Sequence, residues 1–173
     1  VGAIRTSGEA LLSLINEILD FSRIEAGKID LVPEDVDITR LVEGVVELLS
    51  PRAQDKGIEV AAYIEPGVPC SILGDGARLR QVLMNLAGNA VKFTDRGGVG
   101  IRVSVAEGRL VLAVADTGPG IAPDRCEAIF REFEQADADT SRTFGGTGLG
   151  LAISRRIIEA QGGSISVASR LGE

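Results

Sequence analysis

Histidine is absent from the 173 residues, tryptophan is absent too, and aromatic side chains make up only 3%. Without an imidazole there is no Ser-His-Asp triad, no Cys-His nucleophile pair and no His-ligated zinc. So few aromatic rings leave little for bases to stack on. Cysteine is scarce: Cys70 and Cys126 match no metal or redox spacing and read as buried or partly buried thiols in a reducing compartment. A surplus of positive charge is lacking as well. Eighteen basic against 25 acidic side chains give a net charge of −7, the wrong balance for a nucleic-acid partner. No apolar run reaches the roughly 18 residues that a membrane span needs, and no signal peptide is visible. The chain opens at Val1, directly in a helical pattern. The expectation is a soluble, cytoplasmic piece of a longer protein, with membrane attachment left open for the parent.

What is present suits a packed domain. Hydrophobic residues make up 45% of the chain, enough for a core in about one domain with a little to spare. Residues 4–25 place Leu11, Leu14, Ile18 and Phe21 on one helical stripe and Leu12, Ile15 and Leu19 on an adjacent one. Two stripes need cover on two sides, as in a bundle or a dimer, and Gly27 is a plausible stop. Beyond it, residues 28–38 suit an edge strand interrupted by Pro33. A helical period follows from Leu41 to Leu49, capped by Asp37 or Thr39. Residues 58–64 and 70–73 read as strands, and Asp75 opens a helix that runs to Val91. Residues 99–105 and 109–115 form a hairpin pattern around Glu107-Gly108. A short helix is expected near residues 125–130, a longer one from Leu149 to about Gln161, and a strand over 164–169. This order predicts an α+β fold, a two-layer sandwich with helices on one face of a mixed β-sheet, preceded by one amphipathic helix.

Three clusters carry chemistry. In Asn85-Leu86-Ala87-Gly88-Asn89-Ala90-Val91-Lys92-Phe93-Thr94, the residues Asn85, Asn89 and Lys92 fall at i, i+4 and i+7. They therefore share a helix face, while Leu83, Leu86 and Ala90 are left to pack on the sheet. Amide oxygens suit a hard cation and an ammonium suits phosphate, although a solvated polar face has the same spacing. Asparagine is a poor helix former, so two in mid-helix need a reason. In Asp116-Thr117-Gly118-Pro119-Gly120-Ile121 a carboxylate ends an apolar strand beside two glycines. It accepts hydrogen bonds, as an exocyclic amine such as that of adenine requires, and an Asx-capped turn is the competing reading. In Gly145-Gly146-Thr147-Gly148-Leu149-Gly150-Leu151 glycines open a helix and free N–H groups for an anion; a flexible linker reads equally well. Between the last two, Phe130 and Phe133 anchor a polar, Gly-bounded stretch that suits a lid.

Taken in this order, the segments closely resemble the catalytic and ATP-binding domain of sensor histidine kinases, within the wider ATPase group of type II topoisomerases, heat-shock-90 chaperones and mismatch-repair ATPases. Residues 85–94 match the N box, 116–120 the first glycine box, 130–133 the F box and 146–150 the second glycine box. The wording of residues 133–137 with 145–151 looks most like the hybrid type. The resemblance implies a Bergerat-type fold over residues 28–173, after the C-terminal part of the second helix of a dimerisation hairpin at 1–27. It implies ATP and Mg²⁺ as ligands. Asp116 would hold the adenine amine, with Gly118, Gly120 and Ile121 shaping the base pocket and Phe93 lining it. Asn89 would ligate Mg²⁺ with help from Asn85, and Lys92 would meet phosphate oxygens. Gly146, Thr147, Gly148, Leu149 and Gly150 would form the phosphate cradle, and Gln135 would serve the lid near the terminal phosphate.

The same resemblance implies transfer of the γ-phosphoryl group to a histidine on a helix that this chain lacks, in the same or a partner subunit. It also implies a homodimer in the full-length protein and a response-regulator receiver domain as partner. The hydrolytic relatives carry a glutamate where Asn85 stands, and an amide cannot take a proton from water. Transfer is therefore favoured over two other readings, an ATP-sensing module without transfer and a hydrolytic ATPase. The family usually adds one more strand after the turn that begins near Glu173.

Overall fold

A computed structural model of the chain describes residues 30–132 and 148–172, together with Gly8, Leu12, Ile15, residues 18–20 and Ser22. It divides into two compact units, Val1–Asp30 with Asp124–Val167, and Leu31–Pro123 with Ala168–Glu173. The second unit holds β1 (Glu34–Asp37), α1 (Ile38–Lys56), β2 (Glu59–Ile64), β3 (Ser71–Gly74), α2 (Gly76–Phe93), β4 (Gly98–Ala106) and β5 (Arg109–Asp116). The first holds a 3₁₀ turn (Ala128–Phe130) and α3 (Gly150–Ala160).

Period-two patterning builds the sheet. Along β4, Val99, Ile101 and Val103 are at most 3% exposed, while Gly100 and Arg102 between them face outward. One face is thus apolar, and α1 and α2 cover it through Val42, Val45, Leu49, Leu83 and Ala87, all buried. Each fully buried Val, Leu or Ile contributes roughly 1.5–3 kcal/mol. The three-stranded sheet runs β2-β4-β5, with β2 parallel and β5 antiparallel to β4; β1 and β3 pair separately as an antiparallel ribbon. This is the expected mixed sheet with helices on one face. At the β4–β5 turn both Glu107 (φ 52°) and Gly108 (φ 73°) are left-handed, as a two-residue hairpin of the primed type requires.

Helix starts follow the expected residues. Asp37 caps α1 and Asp75 caps α2, each accepting from the N–H three residues on at 2.9 Å. α1 runs past Leu49 and through Pro51, which the sequence pattern did not suggest. Proline removes one helical hydrogen bond and costs about 3 kcal/mol. Burial of Leu49 and Ala53 on either side offsets a penalty of that order. Gly57 (φ 67°) ends the helix, its N–H reaching back to the last turn.

Four local expectations need correction. The short helix near 125–130 is a run of turn ending in the 3₁₀ segment, too brief to overcome helix nucleation. Residues 164–169 alternate in exposure as a strand does but join no ladder among the described residues; alternation supplies two faces, and only a paired neighbour makes a strand. Cys70 is exposed rather than buried, since its backbone carbonyl, which accepts from Ile38 N at 3.0 Å, does the anchoring; Cys126 is half-buried, within the expectation, and neither cysteine is in a disulfide. Leu86 is only half-buried, and Ala87 takes the core position.

In the first unit, Leu12, Ile15 and Leu19 are helical and 62%, 44% and 52% exposed; Leu11, Leu14, Phe21 and the Gly27 stop lie outside the described residues. No described helix is long and apolar enough to cross a membrane.

Candidate functional site

Asn85, Asn89 and Lys92 lie on one face of α2, half-buried rather than fully solvated. Asn89 Nδ2 donates to Asn85 Oδ1 at 3.4 Å, so the two amides are neighbours, and Asn89 Oδ1 has no partner among the described residues. The Lys92 ammonium stands 4.9 Å from the centre of the Phe93 ring. Desolvation holds its pKa below the ordinary lysine value.

Asp116 is the last residue of β5 and pairs with Val99. Directly opposed residues of an antiparallel pair point to the same face, so Asp116 shares the helix-covered side with Val99, and Val114 with Ile101. The following loop is tied down by side chains. Thr117 Oγ1 donates to Arg96 O at 2.8 Å and accepts from Gly98 N at 3.0 Å. Asp116 Oδ1 accepts from Gly118 N at 2.9 Å, which is the Asx turn foreseen as the competing reading. The two readings are compatible, because the carboxylate is exposed and Oδ2 meets no partner among the described residues.

Space is tight at Gly118. A Cβ on Gly118 would stand 2.7 Å from Asp116 Oδ1, 3.3 Å from Phe93 O and 3.5 Å from Thr94 Oγ1. The first glycine loop therefore lies against the C-terminal end of α2, bringing Asp116 to the helix that carries Asn85, Asn89 and Lys92. Gly120 (φ 74°) packs its bare α-carbon on Arg170 O, and Ile121 N donates to Ser169 Oγ at 2.8 Å. Thr94 Oγ1 is fully buried with no hydrogen-bond partner among the described residues.

The first unit carries the second glycine segment. Gly148 (φ 71°) and Leu149 precede α3, whose start at Gly150 has no side-chain cap. Such a start presents N–H groups and a partial positive charge. Arg155 lies 5.6 Å from the centre of the Phe130 ring, so this phenylalanine is held. Gln135, Gly146, Thr147 and Phe133 lie outside the described residues.

The donor set limits the metal chemistry. No cluster of three His, Cys, Asp or Glu side chains occurs among the described residues. Two amide oxygens fit Mg²⁺ only together with other oxygens, since this ion prefers six ligands and commonly takes phosphate and water. Sequence reasoning missed Thr94 as an orphan hydroxyl, and it missed Lys56, whose partners lie on another helix. The Lys56-Gly57 pair signals a helix end and says nothing of whose carbonyls the lysine meets.

Comparison with known proteins identifies the family. The family model described as histidine kinase-, DNA gyrase B-, and HSP90-like ATPase matches residues 74–173. The sensor histidine kinase AruS of Pseudomonas aeruginosa is 46% identical over 99% of the chain, which covers 18% of that protein. Hybrid signal transduction histidine kinase L of Dictyostelium discoideum is 41% identical over 98% of the chain and 10% of its own length. Full-length ShkA, solved in complex with AMPPNP, superimposes with a TM-score of 0.88 at 49% identity, over 99% of this chain and 35% of that one. The chain thus spans less than a fifth of these curated relatives. It belongs to the histidine kinase-, DNA gyrase B- and HSP90-like ATPase family and carries the family's ATP-binding catalytic domain.

Proposed function

We propose that this chain binds MgATP and presents its γ-phosphoryl group to a histidine outside the sequence, as the catalytic part of a hybrid-type protein-histidine kinase. The observation that carries this reading is the convergence, at the end of α2, of a free carboxylate oxygen on Asp116 with the Asn85, Asn89 and Lys92 face. Asp116 accepts from the adenine amine, beside a wall of Gly118, Gly120, Ile121 and Phe93. Lys92 meets phosphate oxygens, and the Gly146–Gly150 segment (with Thr147, Gly148 and Leu149) cradles the phosphate chain. Gln135 serves the lid. Asn89, helped by Asn85, would hold Mg²⁺, which neutralises phosphate charge when bound. Nothing on these elements can deprotonate water where Asn85 stands, so the nucleotide is kept for an imidazole nitrogen.

Residues 1–27 belong, on this reading, to the second helix of a dimerisation hairpin; the exposed Leu12, Ile15 and Leu19 support it, because an apolar stripe needs a partner. The full protein then acts as a cytoplasmic-facing homodimer and passes phosphate to a response-regulator receiver domain.

Calorimetric titration with a non-hydrolysable ATP analogue, with and without magnesium, tests the site. Asp116→Asn should weaken binding by about 1.5–3 kcal/mol, the range for a hydrogen bond to a charged group. Unchanged affinity would remove Asp116 from the pocket. Phosphorylation of an added histidine-bearing hairpin tests the transfer, and brisk phosphate release by the chain alone would argue for hydrolysis instead.

A further inference from the structure

A helix ends with carbonyl groups that have no partner within it. At the end of α2, Ala90 O accepts from Thr94 N at 3.0 Å. The next two carbonyls, Val91 O and Lys92 O, both accept from Lys56 Nζ, at 3.0 and 2.8 Å. Lys56 is the last residue of α1, more than thirty positions upstream. Its ammonium also stands 3.5 Å from Asp95 Oδ1, but that carboxylate is 83% exposed and an exposed pair contributes little. The two helix carbonyls are its principal partners.

We propose that Lys56 is a positioning residue for polyphosphate binding. The inference rests on the reading above, in which Lys92 meets phosphate. Two physical effects combine. Lys56 fixes the turn from which Lys92 and Phe93 project, so the phosphate-binding ammonium starts from a defined backbone. It also places a positive charge on the negative pole of α2, in the very turn a polyanion must approach to reach Lys92. Without Lys56 the bare carbonyls repel phosphate and compete for the Lys92 ammonium. The adenine contact at Asp116 needs neither effect, so Lys56 acts on the phosphate half of the ligand.

The test uses Lys56→Met, which keeps the aliphatic stem, in the 173-residue chain, titrated separately with ATP and with adenosine. ATP affinity should fall about fivefold to tenfold, the scale of a cation at a helix C-terminus in a partly buried setting, while adenosine affinity stays within about twofold. Lys56→Arg should restore at least half of the loss. Equal losses for both ligands would reduce Lys56 to general support of the fold and overturn the proposal, as would an unchanged ATP affinity. If Lys56→Met does not fold, Lys56→Gln, which donates without charge, carries the same comparison. A parent chain that binds neither ligand would remove the nucleotide reading itself, an outcome distinct from a parent that binds both and a variant that matches it.

Discussion

α1 and α2 begin behind aspartates that satisfy their first N–H groups, Asp37 for Arg40 and Asp75 for Arg78. α3 begins behind Leu149, with a left-handed Gly148 before it and no side-chain cap. The first two starts bring their own anion; the third has no such side-chain cap among the described residues. Helix starts are thus built in two ways within one chain. Even the capped pair differ. Asp37 is half-exposed, whereas Asp75 is 6% exposed and its Oδ2 also accepts from Val32 N at 3.1 Å, tying the segment before β1 to the start of the site helix.

Substitutions can break or sharpen this contrast. The largest effect is expected for Asp75→Ala, which removes a cap and strands a partly buried N–H at Val32. Chemical denaturation should show a loss of about 2–3 kcal/mol, and a loss no greater than that of Asp37→Ala would erase the distinction between them. Next, Gly150→Asp would give α3 the anion it lacks. Stability should hold or rise slightly while ATP affinity falls by about 2 kcal/mol, roughly thirtyfold, as measured by calorimetry. A matching loss of stability would mean that the aspartate disturbs the helix rather than occupying the anion's place. Asp37→Ala should cost about 1 kcal/mol of stability and leave nucleotide binding alone.

The smallest effect concerns pH. Burial lowers the pKa of Lys92 from the ordinary 10.5, so between the lowered value and 10.5 the unfolded chain binds more protons than the folded one. Stability therefore rises with pH across that window. Denaturant midpoints measured up to pH 10.5 should show the rise in the parent chain, and Lys92→Met should abolish it.

Elements whose signals are local were legible in the sequence. Asp75 before a 3.6-residue period, the alternation through Val99, Ile101 and Val103, and Glu107-Gly108 between two strands each carry their structure within a few residues. So does the Asn85, Asn89 and Lys92 face, because helical spacing alone aligns it. What escaped depends on distant partners. Pro51 stands inside a helix because buried neighbours outweigh its penalty, and that burial is not written beside it. Residues 164–169 have strand alternation but no paired strand among the described residues. Lys56 meets carbonyls more than thirty residues away, and Thr94 Oγ1, without a hydrogen-bond partner among the described residues, lies close to the loop at Gly118.

The parallel pairing of β2 with β4 also orders events in time. β4 and β5 are joined by two residues and can zip as soon as that turn forms, whereas β2 meets β4 only after β3 and the whole of α2 have been drawn across. Closing that long loop costs entropy before any contact repays it. The helix bearing Asn85 and Asn89 thus lies inside the loop that the β2–β4 pairing closes, so that pairing and the placement of this helix are coupled.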